Sequence, residues 1–528
     1  MSNIKEGNEK INVNVYNGTE PYIFISYSHA NTGAVNKILN RLDKERFRLW
    51  YDDTMEIGDD FREELKSRIE GCGAFVLFVS KVSMESKYVG MEIITAFKHG
   101  KRIYPIYLEA DVEIPGVLRM VLENLQHVKG FSDDGDDRFV KKFIESLPVE
   151  TMHTLQIEDG VLYKCKDGSY EITLPDAVKI IGESAFKHCV RLESITFTDE
   201  LEVIGDEAFR GCKSLKKLVV PKKVKSIGES AFRDCIELSE IIVENSEIEI
   251  GERAFENCPM METVSLPNGL MEIYGGVFNS CKALEHIELP EKLTILGESA
   301  FSSCVKLKEI IIPQNVTKID DMVFHGCVEL DSISMPDSLN KIGKSAFKDC
   351  KALVSVRIPA NVYSIGTSLF RGCENLKSIW VEPKNRCFKS VDDILFNKNR
   401  SLLICFPALK DAEEYEIPDS ITVIWDWAFC GAAQLKKILI PDSVSEIGEG
   451  AFYKCSALEK IEIPDSVMKI DDVAFRGCTS LKEVVIPENV REFGWGLFNG
   501  CENVVVICDD NSAAATYCEK KNIKHRPR

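Results

Sequence analysis

FRGCKSLKKLVVPKKVKSIGESAF, residues 209–232, is one period of a pattern that runs through the last two-thirds of the chain. Leu215, Leu218 and Val220 alternate and then stop at Pro221, which reads as a short strand closed by a residue that has no amide to give to a ladder. Val224 and Ile227 mark a second short extended piece. Gly228 is expected to take a positive φ, and Glu229 to Phe232 to begin a single helical or 3₁₀ turn ending near Cys235. The two phenylalanines belong to a comb with a tooth every 23 residues, from Phe186 to Phe370 and again from Phe429 through Phe452 and Phe475 to Phe498. A fixed period of this size means one supersecondary unit stacked many times, because a single unit cannot bury its own apolar face. Residues 157–528 are therefore expected to form a solenoid.

The comb skips 59 residues between Phe370 and Phe429. There CFKSVDDILFNKNRSLLICFP (387–407) carries turn signals between apolar runs and reads as a hairpin insertion near 385–408. DGVLYKCKDGSYEITLP (159–175) stands where an N-terminal cap is needed. NSAAATYCEKKNIKHRPR (511–528) reads as a capping helix around Ala513 to Lys521 with a basic tail, within a C-terminal cap at 508–528. Among side chains expected to point outward, only Trp380 hints at a contact site.

The chain has 528 residues and a net charge of −19. That balance disfavours nucleic acid and anionic membrane as partners, since both bind through Lys and Arg. Of the 19 cysteines, most recur three residues after a comb phenylalanine (Cys189, Cys212 and Cys235 begin the series), which reads as a small buried side chain in a reducing compartment. No CxxC pair or histidine cluster appears, so no metal is expected. MSNIKEGNEKINVNVYNGTEPY lacks a signal-peptide core and no stretch is long enough to span a bilayer, so a cytoplasmic location is expected, with residues 1–20 disordered.

Residues 21–148 alternate strand and helix, and 149–156 read as a linker. YIFIS (22–26), FRLWY (47–51), GAFVLFVS (73–80) and KRIYPIYL (101–108) are strands. GAVNKILNRL (33–42), DFREELKSRIEGC (60–72), SKYVGMEIITAFKHG (86–100) and DDRFVKKFIESL (136–147) are helices. Apolar strands between helices imply a flavodoxin-like α/β domain with a parallel sheet, whose ligands bind beyond the C-terminal strand ends. With strand order 2-1-3-4-5 the crevice lies between strands one and three, lined by Ser26 to Asn31 and by Ser80 to Ser83, with Asp52 to Asp59 overhanging.

FISYSHAN (24–31), RLWYDDTMEIGDDF (48–61) and FVLFVSKVSMESKYVGMEI (75–93) resemble the boxes of a bacterial-type TIR domain, over essentially all of 21–148. The comb resembles the BspA type of leucine-rich repeat, over 157–528. The TIR resemblance implies cleavage of NAD⁺ between nicotinamide and ribose, with NAD⁺ as substrate and no cofactor, by one glutamate on the third helix. In this chain that residue is Glu92, with Tyr88 one turn earlier in the aromatic position of Ser86-Lys87-Tyr88. Tyrosine replaces the commoner tryptophan there, and Ile57-Gly58 stands where Pro-Gly is usual. Nicotinamide leaves as a neutral group, so one carboxylate that grips the ribose hydroxyls and steadies positive charge suffices.

Two roles fit Glu92: that carboxylate, or a solvent-facing acid on a helix whose other face, Val89, Ile93, Ala96 and Phe97, packs on the sheet. Ser26, Tyr27, Ser28, Trp50, Asp53, Ser80 and Tyr88 are the substrate-binding candidates. Trp50 reads first as a core aromatic of the second strand, Ser26 to Ser28 fit also a helix cap, and Asp52 and Asp53 a turn. The resemblance places TIR–TIR contact on the loop Asp52, Thr54, Met55, Glu56, Ile57 and Gly58, and implies activation by self-association. The repeats are expected to recognise an unknown protein or glycan ligand. A non-enzymatic adaptor remains the alternative, and a surface adhesin, which BspA-type repeats often form, is disfavoured by the missing signal sequence.

Overall fold

The structure is a computed structural model. It describes the chain apart from residues 1–10, 12, 14, 17–20, 46, 53–58, 123–124, 126–136, 149–154 and 166–169, and apart from the side chains of 59–62, 137–140 and 145. The chain divides into two compact units, residues 1–156 and 157–528.

In the first unit β1 (Ile23–Ser26), β2 (Leu49–Tyr51), β3 (Ala74–Val79) and β4 (Ile103–Tyr107) form a parallel sheet in the order 2-1-3-4. Residues 126–130, which precede the last helix, lie outside the described residues. Because side chains alternate along a strand, one face buries Ile23, Ile25, Val76 and Phe78 with Val35 and Leu39 of α1 (Thr32–Lys44) and Phe143 of α6 (Asp137–Ser146). The other face buries Phe24, Trp50, Phe75 and Leu77 with Leu65 of α2 (Asp59–Gly71), Met84 of α3 (Lys81–Glu85), Val89 and Ile93 of α4 (Lys87–Lys98) and Leu118 of α5 (Gly116–Leu122). Phe24 stacks between Trp50 and Phe75, with ring centroids 4.9 and 5.1 Å away.

Two expectations need correction here. The helices α3 and α5 were not anticipated; each is a short turn with too few residues to show a helical period. Part of the stretch expected to be disordered is placed: Val13 is buried, the Tyr16 amide donates to the Leu49 carbonyl at 2.8 Å, and the Tyr51 hydroxyl donates to the Val13 carbonyl at 2.5 Å. The alternating Ile11, Val13 and Val15 supply apolar side chains that only the rim of the sheet could bury.

The second unit opens with a hairpin, Leu155–Glu158 and Val161–Cys165, turning through Asp159 and Gly160 at φ 48° and 77°. Equivalent strands of successive coils then pair in parallel with a 23-residue register, Leu218 with Ile241 and Ile227 with Ile250. The comb phenylalanines stack face to face, from 4.6 Å between Phe186 and Phe209 to 5.9 Å between Phe301 and Phe324. Each comb thiol is buried, and from Cys212 onward each donates to the carbonyl of a phenylalanine 26 residues earlier, as Cys212 does to Phe186 at 3.0 Å; Cys189, the first, donates to the Cys165 carbonyl. Burial in turn pushes the thiols of Cys281 and Cys327 up to about 12.

The turn before each cysteine is not the helical or 3₁₀ turn expected. Ser230 and Asp234 take left-handed φ values of 53° and 62°, which breaks any helix and points alternate amides at the next coil. Nor does Gly228 take a positive φ. A Cβ there would sit 2.5 Å from the Asp206 amide nitrogen, so the residue is required for close approach between coils.

The insertion is a hairpin of Phe388–Val391 and Ile394–Asn397, turning at Asp392 and Asp393. Its third strand, Leu402–Cys405, pairs antiparallel with Ile394–Asn397 and parallel with Val423–Ile424. Phe406 then stacks on Phe429 at 5.2 Å, a tooth of the comb one 23-residue period before Phe429 that the sequence reading missed by assigning it to the insertion. The C-terminal helix α7 (Ala513–Lys521) is capped by Ser512, whose hydroxyl accepts from the Ala515 amide. His525–Arg526 pairs with Val505–Ile507, so the basic tail closes one edge of the stack.

Candidate functional site

Three residues meet beyond the C-terminal ends of the sheet. Ser26 ends β1, in register with Leu77 of β3. Asp52 follows β2, two residues after Trp50. Glu92 comes from α4, whose N-terminus is set by Ser86 accepting from the Val89 amide at 3.4 Å. Val89, Glu92, Ile93 and Ala96 are the buried residues of that helix, a stripe at helical spacing.

The solvent-facing reading of Glu92 is therefore overturned, and so is the packing assigned to Phe97, which is 60% exposed. Glu92 is 9% exposed and its Oε2 accepts from the Ser26 hydroxyl at 2.5 Å. Among the described residues no lysine or arginine pairs with it. Burial pushes its carboxyl up to about 8; the Ser26 bond opposes that rise and the charge of Asp52 adds to it. The site thus presents a buried acid that holds its proton more tightly than an exposed carboxyl does.

The remaining candidates fall into separate groups. Tyr88, in the first turn of α4, is 47% exposed on the rim one turn before Glu92. Ser80 is fully buried and committed to its own helix: its Oγ accepts from the Ser83 amide at 3.0 Å and donates to Asn31 Oδ1 at 2.7 Å. It positions the loop and is not open to a substrate. Trp50 is a core aromatic, stacked on Phe24 and covered by the Arg68 guanidinium 5.6 Å from its ring. Tyr27 packs against the opposite layer and stacks on His29 at 5.3 Å, away from the Glu92 face. Ser28 precedes the turn His29–Asn31 without a side-chain cap bond. Asp53, Thr54, Met55, Glu56, Ile57 and Gly58 lie outside the described residues.

Asn31 was read from the sequence only as the end of the loop lining the crevice. It ties the loop after β1 to the end of β3, and nothing local marks it, since its partner is 49 residues away. Among the described residues no group of three or more His, Cys, Asp or Glu is placed to hold a metal ion, and no helix is long and apolar enough to cross a membrane.

The comparisons with known proteins agree with this division. The TIR domain family matches residues 23–144, and the BspA type leucine rich repeat region matches 155–285, 272–402 and 404–518. The chain belongs to the BspA-type leucine-rich-repeat family and carries a TIR domain ahead of its repeats. A leucine-rich repeat protein from Bacteroides ovatus ATCC 8483 is 27% identical, with a TM-score of 0.51, over 71% of this chain and 97% of that one. A leucine rich cell surface protein from Faecalibacterium prausnitzii A2-165 is 25% identical over 68% of this chain and 92% of that one, with a TM-score of 0.44. None of the curated proteins compared matches the chain.

Proposed function

We propose that this is a sensor-effector protein: the repeats recognise a partner, and the TIR domain, on self-association, cleaves the nicotinamide–ribose bond of NAD⁺ with Glu92. The observation that supports this is the placement of one buried, unpaired-with-cation carboxylate at the rim of the sheet, held by Ser26 beside Asp52. A carboxyl raised by burial ionises most readily when positive charge is placed beside it, and the ribosyl group gains positive charge as nicotinamide departs. Ser26 keeps the carboxylate oriented, Asp52 contributes a second negative charge, and Tyr88 offers an exposed ring against which a ribose or pyridinium face packs.

A second reading is a non-enzymatic adaptor that recruits other TIR domains. It is favoured by exposed apolar side chains on α4 and α5, with Met91 42%, Val117 73% and Met120 82% exposed. Nicotinamide release by the full chain across a wide concentration series separates the two. A steep rise with concentration that Glu92→Ala abolishes is expected; no release at any concentration from the parent chain leaves the adaptor reading standing.

A further inference from the structure

In coil after coil, three alternate amides of the turn donate to carbonyls of the next coil: those of the comb phenylalanine and of the residues two before and two after it. Trp427, Phe429 and Gly431 donate to Glu449, Ala451 and Tyr453; Val473, Phe475 and Gly477 donate to Trp495, Leu497 and Asn499 at 2.8, 3.1 and 2.9 Å. The last coil repeats the donor side. Gly496 and Gly500 keep the left-handed φ values, 66° and 82°, that Val473 and Gly477 show at 50° and 80°. Among the described residues nothing accepts a hydrogen bond from the amides of Gly496, Phe498 or Gly500.

These three residues line a cavity of about 300 Å³ together with Trp495, Tyr517 and Lys521. That is at the lower end of the size range of ligand sites, and with Phe498 buried, Gly496 half-buried and Gly500 exposed the row of open amides is within reach of a ligand. Earlier in the stack Ser368 and Phe370 also lack ladder partners, but there Ile404, Cys405 and Trp427 close the space to about 10 Å³, room for at most one water. The terminal cavity has no such cover. Trp495 stands where Asp206, Glu229, Asp426 and Asp472 stand in other coils, and it is 62% exposed.

The charge around the cavity differs from that of the chain. Lys520, Lys521 and Lys524 form no ion pair among the described residues, whereas Arg526 and Arg528 are held by Glu483 and Asp465. Lys521 lines the cavity together with Glu502, and Lys520 and Lys524 are exposed neighbours of Lys521 along the chain. On a chain whose overall charge is −19, these three lysines within five residues are a local concentration of positive charge.

We propose that this end of the solenoid binds an extended acidic peptide segment of a partner protein, whose alternate main-chain carbonyls take the amides of Gly496, Phe498 and Gly500. Donors two residues apart in a chain lie roughly 5–7 Å from one another, too far for the oxygens of one small anion but matched to carbonyls two residues apart in a peptide. Acidic side chains of that segment meet Lys520, Lys521 and Lys524, and Trp495 covers it from the side. This is strand addition carried out by a turn ladder, with main-chain bonds giving affinity and the lysines giving selectivity. It rests on the reading of the repeats as the recognition element and is independent of the chemistry at Glu92.

The test is selection of a random 12-residue linear peptide display library on the full chain. Enriched peptides are expected to be rich in Asp and Glu, and to bind Trp495→Ala and Lys521→Glu about tenfold more weakly than the parent. Hydrogen exchange at residues 496–500 is expected to slow when a selected peptide is added, a readout that does not depend on any variant folding. No enrichment, enrichment of basic peptides, equal binding to both variants or unchanged exchange at 496–500 overturns the proposal. Nicotinamide release from the same preparation reports on Glu92 separately, so failure of one idea is distinguishable from failure of the other.

Discussion

The hydroxyl of Ser26 donates to the carboxylate of Glu92 across 2.5 Å, tying the end of β1 to the middle of α4 over 66 residues of sequence. Both partners are buried, so neither can exchange the bond for water without moving. Four predictions follow from this bond and from the ladders of the repeat.

Glu92 makes stability depend on pH. Burial raises its carboxyl from 4.5 to about 8, so between those values the folded chain holds a proton that the unfolded chain has lost. Stability therefore falls as pH rises through that window and the penalty is complete above pH 8. Glu92→Gln removes the titration. Its melting temperature, relative to the parent by calorimetry, should be several degrees more favourable at pH 8.5 than at pH 5. An equal difference at both pH values contradicts the buried placement.

Ser26 is a positioning residue whose bond lowers the Glu92 pKa. If the ionised carboxylate carries NAD⁺ cleavage, the rate should climb with pH through about 8. Ser26→Ala should move that rise to higher pH and lower the rate at pH 7 about tenfold or less. A Ser26→Ala profile superimposable on the parent's removes Ser26 from the site.

Phe324 is fully buried and stacked between Phe301 and Phe347, at 5.9 and 5.8 Å. Phe324→Ala should cost about 3–5 kcal/mol, by lost burial plus the cavity left in a stack that cannot close by itself. Urea unfolding followed by far-ultraviolet circular dichroism measures it. A loss below about 1 kcal/mol is incompatible with a continuous phenylalanine core.

Gly366 is a contact glycine. A Cβ there would lie 2.3 Å from the Lys344 amide nitrogen, which is backbone and cannot step aside. Gly366→Ala should destabilise the solenoid by roughly 1–3 kcal/mol or more, as overpacking does. At Gly100, where φ is 63° and nothing lies within 4 Å, alanine should cost only about 1 kcal/mol from backbone strain. Equal effects at the two sites argue against close approach between coils.

The repeat was legible because its information is local and redundant. Most coils repeat the same Leu, Gly, Phe and Cys spacing, so one period read correctly predicts most of the rest, while the hairpin at Asp392 and Asp393 and the helix Ala513–Lys521 were legible from signals of their own. The errors fell where a local rule met a neighbour that only stacking supplies. Gly228 was assigned a positive φ, the usual reason for a glycine, but it is required by the Asp206 backbone one coil away. Phe406 stands one 23-residue period before Phe429 but was read as part of the insertion, and the stack shows it to be a tooth of the comb.

The four strands, four of the helices and the 23-residue comb were decided by residue type and spacing, which act over a few neighbours along the chain, whereas the choice of Glu92 came from the resemblance to TIR domains. What Glu92 faces was decided by neither. The helical stripe permits it to point either to water or to the sheet, and the choice depends on Ser26 lying beneath it once β1 and β3 are paired. Likewise Ser80 and Trp50 became structural, and Tyr27 turned away, because contacts with Asn31, Phe24 and His29 form only when distant segments close into one fold. Periodicity is a property of the chain, whereas burial and partnership are properties of its packing.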